Sequence, residues 1–282
     1  MNDEELLQLQ AFENDMLRAV ADVCEKNNIT YYIGCGTLLG AVRHKGFIPW
    51  DEDVDVLMPY EDYIRFLEIA QDELGNKFFI QNSNTDKNWN RAYTTIRANN
   101  TTMVYEYARG WDIHHGVWLD IFPLAKMKSR LDIRIKKFLL SISNYFLMDN
   151  QLSANNRYFM KKFGAIGVFF LRLFYLIPFS ARQKLHNWTV KIVAGRKRKY
   201  NYIAEIWTSI TDYFPKDVFE GKKSTVVFYE REYSTVPNYD KYLRLCYGDY
   251  MTPVKDEKNQ DFLIVDLNNS YQKYTSVQNR MP

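Results

Sequence analysis

The stretch GTLLGAVRHKGFIPWDEDVDV, residues Gly36 to Val56, decides how this chain of 282 residues is read. Gly36-Thr37 opens a short helix, Leu38 to Arg43, with Thr37 as its expected cap, and the free N–H groups at such a helix start suit an anion. Gly46 and Pro49 then break the chain into a loop that delivers Trp50, Asp51 and Glu52. Beyond it Val54, Val56 and Met58 alternate with Asp53, Asp55 and Leu57. That is the period of a strand, so Asp53 and Asp55 are expected to point the same way, opposite the valines.

Working outward, residues 5 to 27 carry apolar side chains at helical spacing, from Leu6 through Phe12, Met16 and Val20 to Cys24, and predict a long amphipathic helix ending at Asn27-Asn28. Ile29 to Ile33 reads as a short strand. On the other side Pro59 fits the first position of a helix reaching Leu74. Phe78 to Gln81, Ala92 to Arg97, Thr102 to Tyr105 and Val117 to Phe122 read as strands, the last closed by Pro123. Helices are expected over Leu131 to Met148 and Ala181 to Val193, and the tail adds a strand at Thr225 to Tyr229 and a helix at Tyr239 to Tyr247, ended by Gly248.

Transfer of a phosphate-linked group needs charge neutralisation on phosphate oxygens and a positioned nucleophile more than covalent help. Two carboxylates one residue apart supply hard oxygen ligands for Mg²⁺ or Mn²⁺, which keep coordination positions for substrate phosphate. Asp-x-Asp alone equally marks metal-dependent glycosyltransferases, so its context carries the weight. Asp120 stands in an apolar strand, Trp118 to Phe122, where an acid is costly unless metal, charge or hydrogen bonds satisfy it. It is the expected third acid, binding metal or taking a proton from the acceptor. Arg43, His44 and Lys45 lie between the glycine turn and the acids, placed to meet phosphate. Arg97 either reaches a diphosphate or points outward from its strand. Asp51 either orients Arg43 or Lys45 or simply forms the turn, and Trp50 and Tyr93 either stack on a base or sugar or pack. His44, His114 and His115 are not spaced as a metal set, and Asp112 reads as a surface acid.

The order Gly-Thr, Asp-x-Asp, then a lone Asp among apolar residues resembles the nucleotidyltransferase fold. More specifically, Gly36 to Val56, with TTIRANNT (Thr94 to Thr101), WLDIFPL (Trp118 to Leu124) and VPNYDKYLRLCYGDYMTP (Val236 to Pro253), is similar to the LicD family of phosphotransferases, which includes relatives of fukutin. The resemblance implies an α+β fold, a mixed β-sheet core flanked by helices. It implies transfer of phosphocholine or a polyol phosphate from a CDP-alcohol donor to a sugar hydroxyl of a cell-surface glycan, teichoic-acid-type precursor or lipid-linked glycan. By position Asp53, Asp55 and Asp120 match the metal and catalytic acids, and Gly36, Thr37 and Arg43 the region of the donor phosphates. Glu52 departs from the family's usual Asp, and the animal relatives' Cys/His cluster is missing, so no structural zinc is expected. Residues 1–125 are expected to form the catalytic core, 126–200 a basic helical insertion, and 201–282 to complete the catalytic domain.

Charge is divided unevenly along the chain. Met1 to Tyr60 holds eleven acids against four bases, whereas Lys126 to Tyr200 holds seventeen Lys and Arg against Asp132 and Asp149. Within the basic block Phe163 to Phe179 is apolar except for Arg172. This segment is too short and interrupted to span a bilayer, and is either a core helix or a membrane-surface helix with its basic flanks on anionic head groups. Three scattered cysteines and an acidic start without a signal-like apolar run point to a reducing cytoplasm, with the enzyme peripheral at the inner face of the plasma membrane. Nucleic acid is not an expected partner, because the basic run lacks a recognition motif. A glycosyltransferase or nucleotidyltransferase using Asp53 and Asp55 remains the competing enzyme, and a membrane adaptor the non-enzymatic alternative.

Overall fold

The computed structural model describes residues 1–108, 110–145, 176–195, 199–207, 210–253 and 262–274, with single positions 147, 164, 169 and 173. Helix α1 (Asp3–Lys26) begins with a capping box, in which Glu5 N–H donates to the Asn2 side chain at 2.9 Å and Asn2 N–H to the Glu5 carboxylate at 2.8 Å. Its stripe of Leu9, Met16, Leu17, Val20 and Cys24 is fully buried, as the spacing requires. Strand β1 (Tyr32–Ile33), helix α2 (Cys35–His44), strand β2 (Asp55–Pro59) and helix α3 (Tyr60–Leu74) follow. Next come β3 (Phe78–Gln81), β4 (Thr94–Ala98), β5 (Thr102–Tyr105) and the ten-residue β6 (Trp118–Met127).

The main sheet runs β1-β2-β6-β4-β3. β2 and β6 are parallel, and the other pairs on that path are antiparallel. β6 does not end at Pro123 as its sequence suggests. Pro123 sits opposite Met58, and the strand continues to pair Leu124 to Met127 with β7 (Tyr202–Ile206), which in turn pairs β8 (Ile210–Pro215). A proline removes only its own N–H, so a strand with partners on either side of it survives. The sheet is therefore mixed and flanked by helices, an α+β arrangement.

Helices α4 (Arg130–Tyr145) and α5 (Phe179–Ala194) pack over the far end of β6 and β7. Ile133, Leu140, Val190, Val193 and Ala194 meet Ala125, Met127, Ala204 and Ile206 there. Fully burying side chains such as Ile133 and Leu140 contributes about 1.5–3 kcal/mol each. Ser143 Oγ and His186 Nδ1, 3.0 Å apart, join the two helices. Most of Phe163 to Phe179 and residues 196–198 lie outside the described residues.

The tail builds a hairpin of β9 (Ser224–Phe228) and β10 (Arg231–Thr235), helix α6 (Tyr239–Tyr247), and strand β11 (Phe262–Asp266), which pairs β5. Phe228, Tyr233, Tyr242 and Leu243 join the same core as α1 and the main sheet.

Candidate functional site

The parallel pairing of β2 with β6 sets Asp55 directly opposite Asp120, and the antiparallel pairing of β6 with β4 sets Asp120 opposite Thr95. Residues so paired share a sheet face, which makes Asp55, Asp120, Thr95 and then Gln81 on β3 one polar row. Asp53 lies two residues ahead of the strand, in the loop that enters it. The expected strand begins at Asp55 instead, and residues 55 to 58 are buried on both faces, so the valines and acids are not divided into core and solvent sides. β2 is central, with β1 and β6 beside it, which is why alternation misleads there.

Helix α2 is stitched to this row at its start. Gly34 N–H donates to Asp55 O at 3.1 Å and Asp55 N–H donates to Thr37 Oγ1 at 2.9 Å. Thr37 is thus inside the helix, bonded to the strand, and is not its cap. The cap position is Gly34, and the helix begins at Cys35, whose φ of 47° places a residue with a side chain in the left-handed region. Gly36 is required by contact, since a Cβ there would stand 2.7 Å from Asp51 Oδ2. Gly40 is too, because its Cβ would lie 2.5 Å from Gly46 O in the loop that carries the acids forward. Gln10 of α1 holds the same loop, donating to Asp51 O at 2.8 Å.

These constraints crowd acids together. Burial raises Asp55 well above the carboxylate range, with Asp53, Asp120, Asp51 and Glu205 adding repulsion. Burial likewise raises Asp53, and lifts Asp51 to about 7 and Glu52 to about 8. Asp120 rises to about 6, burial outweighing the Thr95 hydroxyl, which donates to its Oδ1 at 2.5 Å, and the nearby Arg97 charge. Glu13 of α1, fully buried with neither oxygen hydrogen-bonded, is raised well above its ordinary value by burial and then by Asp53 and Glu52. Among the described residues no ion pair or side-chain hydrogen bond reaches Asp53 or Asp55. Such a set of hard, mutually repelling oxygens fits a divalent cation in its donor chemistry. It is not drawn together as a finished coordination sphere, since no three His, Cys, Asp or Glu side chains among the described residues are already so arranged.

The basic residues expected at the phosphates separate into two groups. Arg43, His44 and Lys45 sit at the C-terminal end of α2, away from Gly36 and Thr37. Arg43 donates to Tyr250 O at 3.1 Å and to the His44 ring at 2.8 Å, and His44 and Lys45 are exposed. Asp51 contacts Gly36 instead of orienting Arg43 or Lys45. Arg97 does not point outward. It is buried beneath the row, with Nε donating to Gln81 Oε1 at 2.7 Å, Nη1 to Gly116 O at 2.9 Å, and its guanidinium over Trp118. Burial lowers its pKa.

Arg97 also lines a cleft of about 160 Å³ that opens beside Asp53 and Asp120, together with Arg91, Tyr93, Tyr105, Tyr107 and Trp111. Tyr93 was an expected stacking candidate, whereas Arg91 and the other aromatics carry no spacing that marks them in the sequence. They meet only because β4, β5 and the turn after β5 fold around one space. His115 lines it as well, bonded to Trp111 O. Trp50 packs against the core, and Asp112 is exposed and accepts from Asn88. From the tail, Glu205 on β7 accepts from Tyr242 OH at 2.7 Å, and that same hydroxyl accepts from Cys35 N–H at 3.4 Å, so a residue of α6 braces the start of α2.

Residues 28–130 match the family model described as LicD/FKTN/FKRP, nucleotidyltransferase domain. The chain is 27% identical over 259 residues to the lipopolysaccharide cholinephosphotransferase LicD of Haemophilus influenzae, covering 84% of this chain and 88% of that protein. It is 30% identical over 156 residues to an uncharacterized protein of Rickettsia prowazekii, covering 55% of this chain and 47% of the relative. Over 45 residues it is 47% identical to the human ribitol 5-phosphate transferase FKRP, covering 16% of this chain and 9% of that protein. The row of Asp55, Asp120 and Thr95, with Gly36 and Thr37 stitched to its edge, falls wholly within residues 28–130, the part of the chain that matches the LicD/FKTN/FKRP nucleotidyltransferase domain.

Proposed function

We propose that this protein is a phosphotransferase that moves a phospho-alcohol, phosphocholine or a polyol phosphate, from a CDP-linked donor to a hydroxyl of a glycan or lipid-linked glycan precursor. The observation that carries the reading is the register pairing of Asp55 with Asp120 beside the buried start of α2. Mg²⁺ or Mn²⁺, held by Asp53 and Asp55, would neutralise the diphosphate charge. Gly36 lets the Asp51 carboxylate close against the start of α2, and Thr37 fixes the strand that presents Asp55. The acceptor oxygen bonds to the phosphorus bearing the alcohol, the bond from that phosphorus to the bridging oxygen breaks, and CMP departs with that oxygen. Asp120 takes the hydroxyl proton. Thr95 orients its Oδ1.

Two relatives are, by name, a cholinephosphotransferase acting on lipopolysaccharide and a ribitol 5-phosphate transferase, which supports both the transferred group and a glycan acceptor. In an assay with donors labelled in the alcohol phosphate, Asp53→Asn and Asp120→Asn should each abolish transfer while circular dichroism stays native. Near-normal rates in either variant, or label transferred from a sugar nucleotide or as whole nucleotide, would refute the reading.

The enzyme works against the cytoplasmic, anionic surface of the plasma membrane. No helix among the described residues is long and apolar enough to cross a bilayer. Supporting a peripheral position, α4 turns Leu131, Ile135, Phe138, Leu139 and Ile142 outward, with Arg130, Arg134 and Lys137, and its inward face holds Lys136, Ser143 and Asn144. α5 adds exposed Lys184, Leu185, Trp188 and Lys191. An outward apolar ridge edged by bases and a tryptophan matches the chemistry of anionic head groups over acyl chains.

A further inference from the structure

The cleft beside Asp53 and Asp120 is separate from the Gly36-Thr37 side of the acids. No residue between Gly36 and Lys45 lines it, whereas Asp53 and Asp120 stand at its end. If Asp120 receives the acceptor proton, as proposed above, the acceptor occupies this cleft. We propose that the cleft binds a sugar ring carrying a phosphate or carboxylate, so that the acceptor is an anionic sugar rather than a neutral one. This rests on the phosphotransfer reading for the word acceptor, and on the cleft's own chemistry for the rest.

Charge supplies the first argument. Arg97 is buried, yet its hydrogen bonds go to neutral groups, the Gln81 amide oxygen and the Gly116 carbonyl. Arg91 is half-buried and makes no hydrogen bond or ion pair among the described residues, although its charge reaches Asp120, Tyr93 and Tyr107. Two guanidiniums facing one space without a bonded carboxylate are poised for an anion. On the wall they form they also oppose the alternative that aromatic side chains suggest, a quaternary ammonium. Such a head group would meet two like charges, and the face of Trp118 already carries Arg97 at 4.9 Å.

Shape supplies the second. At about 160 Å³ the cleft is smaller than the roughly 300–1,000 Å³ of sites that enclose whole drug-sized ligands, so it admits one ring with its substituents and not a complete CDP-alcohol. Its mouth is a platform of stacked rings. Tyr107, 57% exposed, lies flat on Tyr105 with centroids 5.0 Å apart, and Tyr105 lies flat on Phe262 of β11 at 4.5 Å. Trp111 stands edge-on to Tyr107 at 5.9 Å. The partly positive C–H face of a pyranose packs on the negative face of such a ring, and the preset stack loses little entropy on binding.

The test uses the full chain without donor or metal and follows tryptophan fluorescence, to which Trp89, Trp111 and Trp118 all report from the cleft. Glucose, galactose and N-acetylgalactosamine are titrated as neutral sugars and as 6-phosphates, with glucuronate, galacturonate and CMP as further arms. At least one 6-phosphate or uronate should bind tenfold or more tightly than its neutral parent, and the arm that does so identifies the anion. Arg91→Gln should erase that preference, Arg91→Lys should retain most of it, and Tyr107→Ala should weaken charged and neutral forms alike. The proposal is overturned if no sugar binds, if neutral sugars bind as well as anionic ones, if the preference survives in Arg91→Gln, or if CMP is the ligand that both substitutions weaken. Preference without any transfer from CDP-alcohols would sink the phosphotransfer reading while leaving the sugar site, and transfer without anionic preference would sink the cleft assignment alone.

Discussion

Replacing Glu205 by glutamine should make the protein more stable at alkaline pH. Glu205 is 2% exposed on β7, and burial raises its pKa from 4.5 to about 7 against the opposing bonds from Tyr242 and Trp207. A carboxyl raised on folding contributes stability that is complete below its unfolded value of 4.5 and is lost as the pH climbs through about 7. At about 1.4 kcal/mol per pH unit the loss between pH 5 and pH 8 is about 2–3 kcal/mol, and glutamine, which does not titrate, avoids it. The glutamine oxygen still accepts from Tyr242, 2.7 Å away, but its amide opposes the Trp207 N–H, whose bond at 3.4 Å is long, at a cost of about 1 kcal/mol. The expected net gain is therefore about 2 kcal/mol at pH 8, shrinking to nothing or a small loss at pH 5. Urea unfolding of wild type and variant in metal-free buffer at both pH values measures it. A variant equally destabilised at both pH values, or a difference that does not change with pH, would show that Glu205 is not carrying a desolvation penalty. A gain would mean that the fold keeps this acid facing Asp55 and Tyr242 at the expense of stability, as sites often do.

Mg²⁺ should raise the melting temperature of wild type, more at pH 8 than at pH 6, because Asp51, Glu52, Asp55 and Asp120 are all raised by burial and lose stability as they ionise; thermal shift should show the effect removed by Asp53→Asn and Asp55→Asn. Gly36→Ala places a methyl 2.7 Å from Asp51 Oδ2 and should lower donor affinity tenfold or more in inhibition by CDP, with circular dichroism unchanged; unaltered affinity would remove Gly36 from the donor site. Phe138→Glu, at a position 64% exposed, should release the protein from phosphatidylserine vesicles in sedimentation without loss of fold, and continued co-sedimentation would dismiss α4 as the contact.

Much of the local structure was legible because its causes are local. Periodicity and capping chemistry fix α1, and the strand at Phe78–Gln81 and the helix at Tyr239–Tyr247 fall where their residues place them. The acids Asp53, Asp55 and Asp120 and the Gly36-Thr37 turn stood out because carboxylates and glycines in apolar surroundings need a reason. The strand pairs formed by β7, β8, β10 and β11 were not legible, since a strand of ordinary composition is defined by its partner. Pro123 ended β6 in the sequence but not in the fold, where pairing on both sides carries the strand through.

By itself, then, the sequence determined the helix faces, the acid pair and the turn before it, all set by contacts a few residues apart. Only the tertiary structure decided which distant residues share a face. It opposed Asp55 to Asp120 across 65 positions, turned Arg43 onto the Tyr250 carbonyl, and turned Arg97 inward beside Arg91 and a wall of aromatics. Register between strands and closure of a cleft are long-range choices, fixed by burial of the whole core, and no local pattern encodes them.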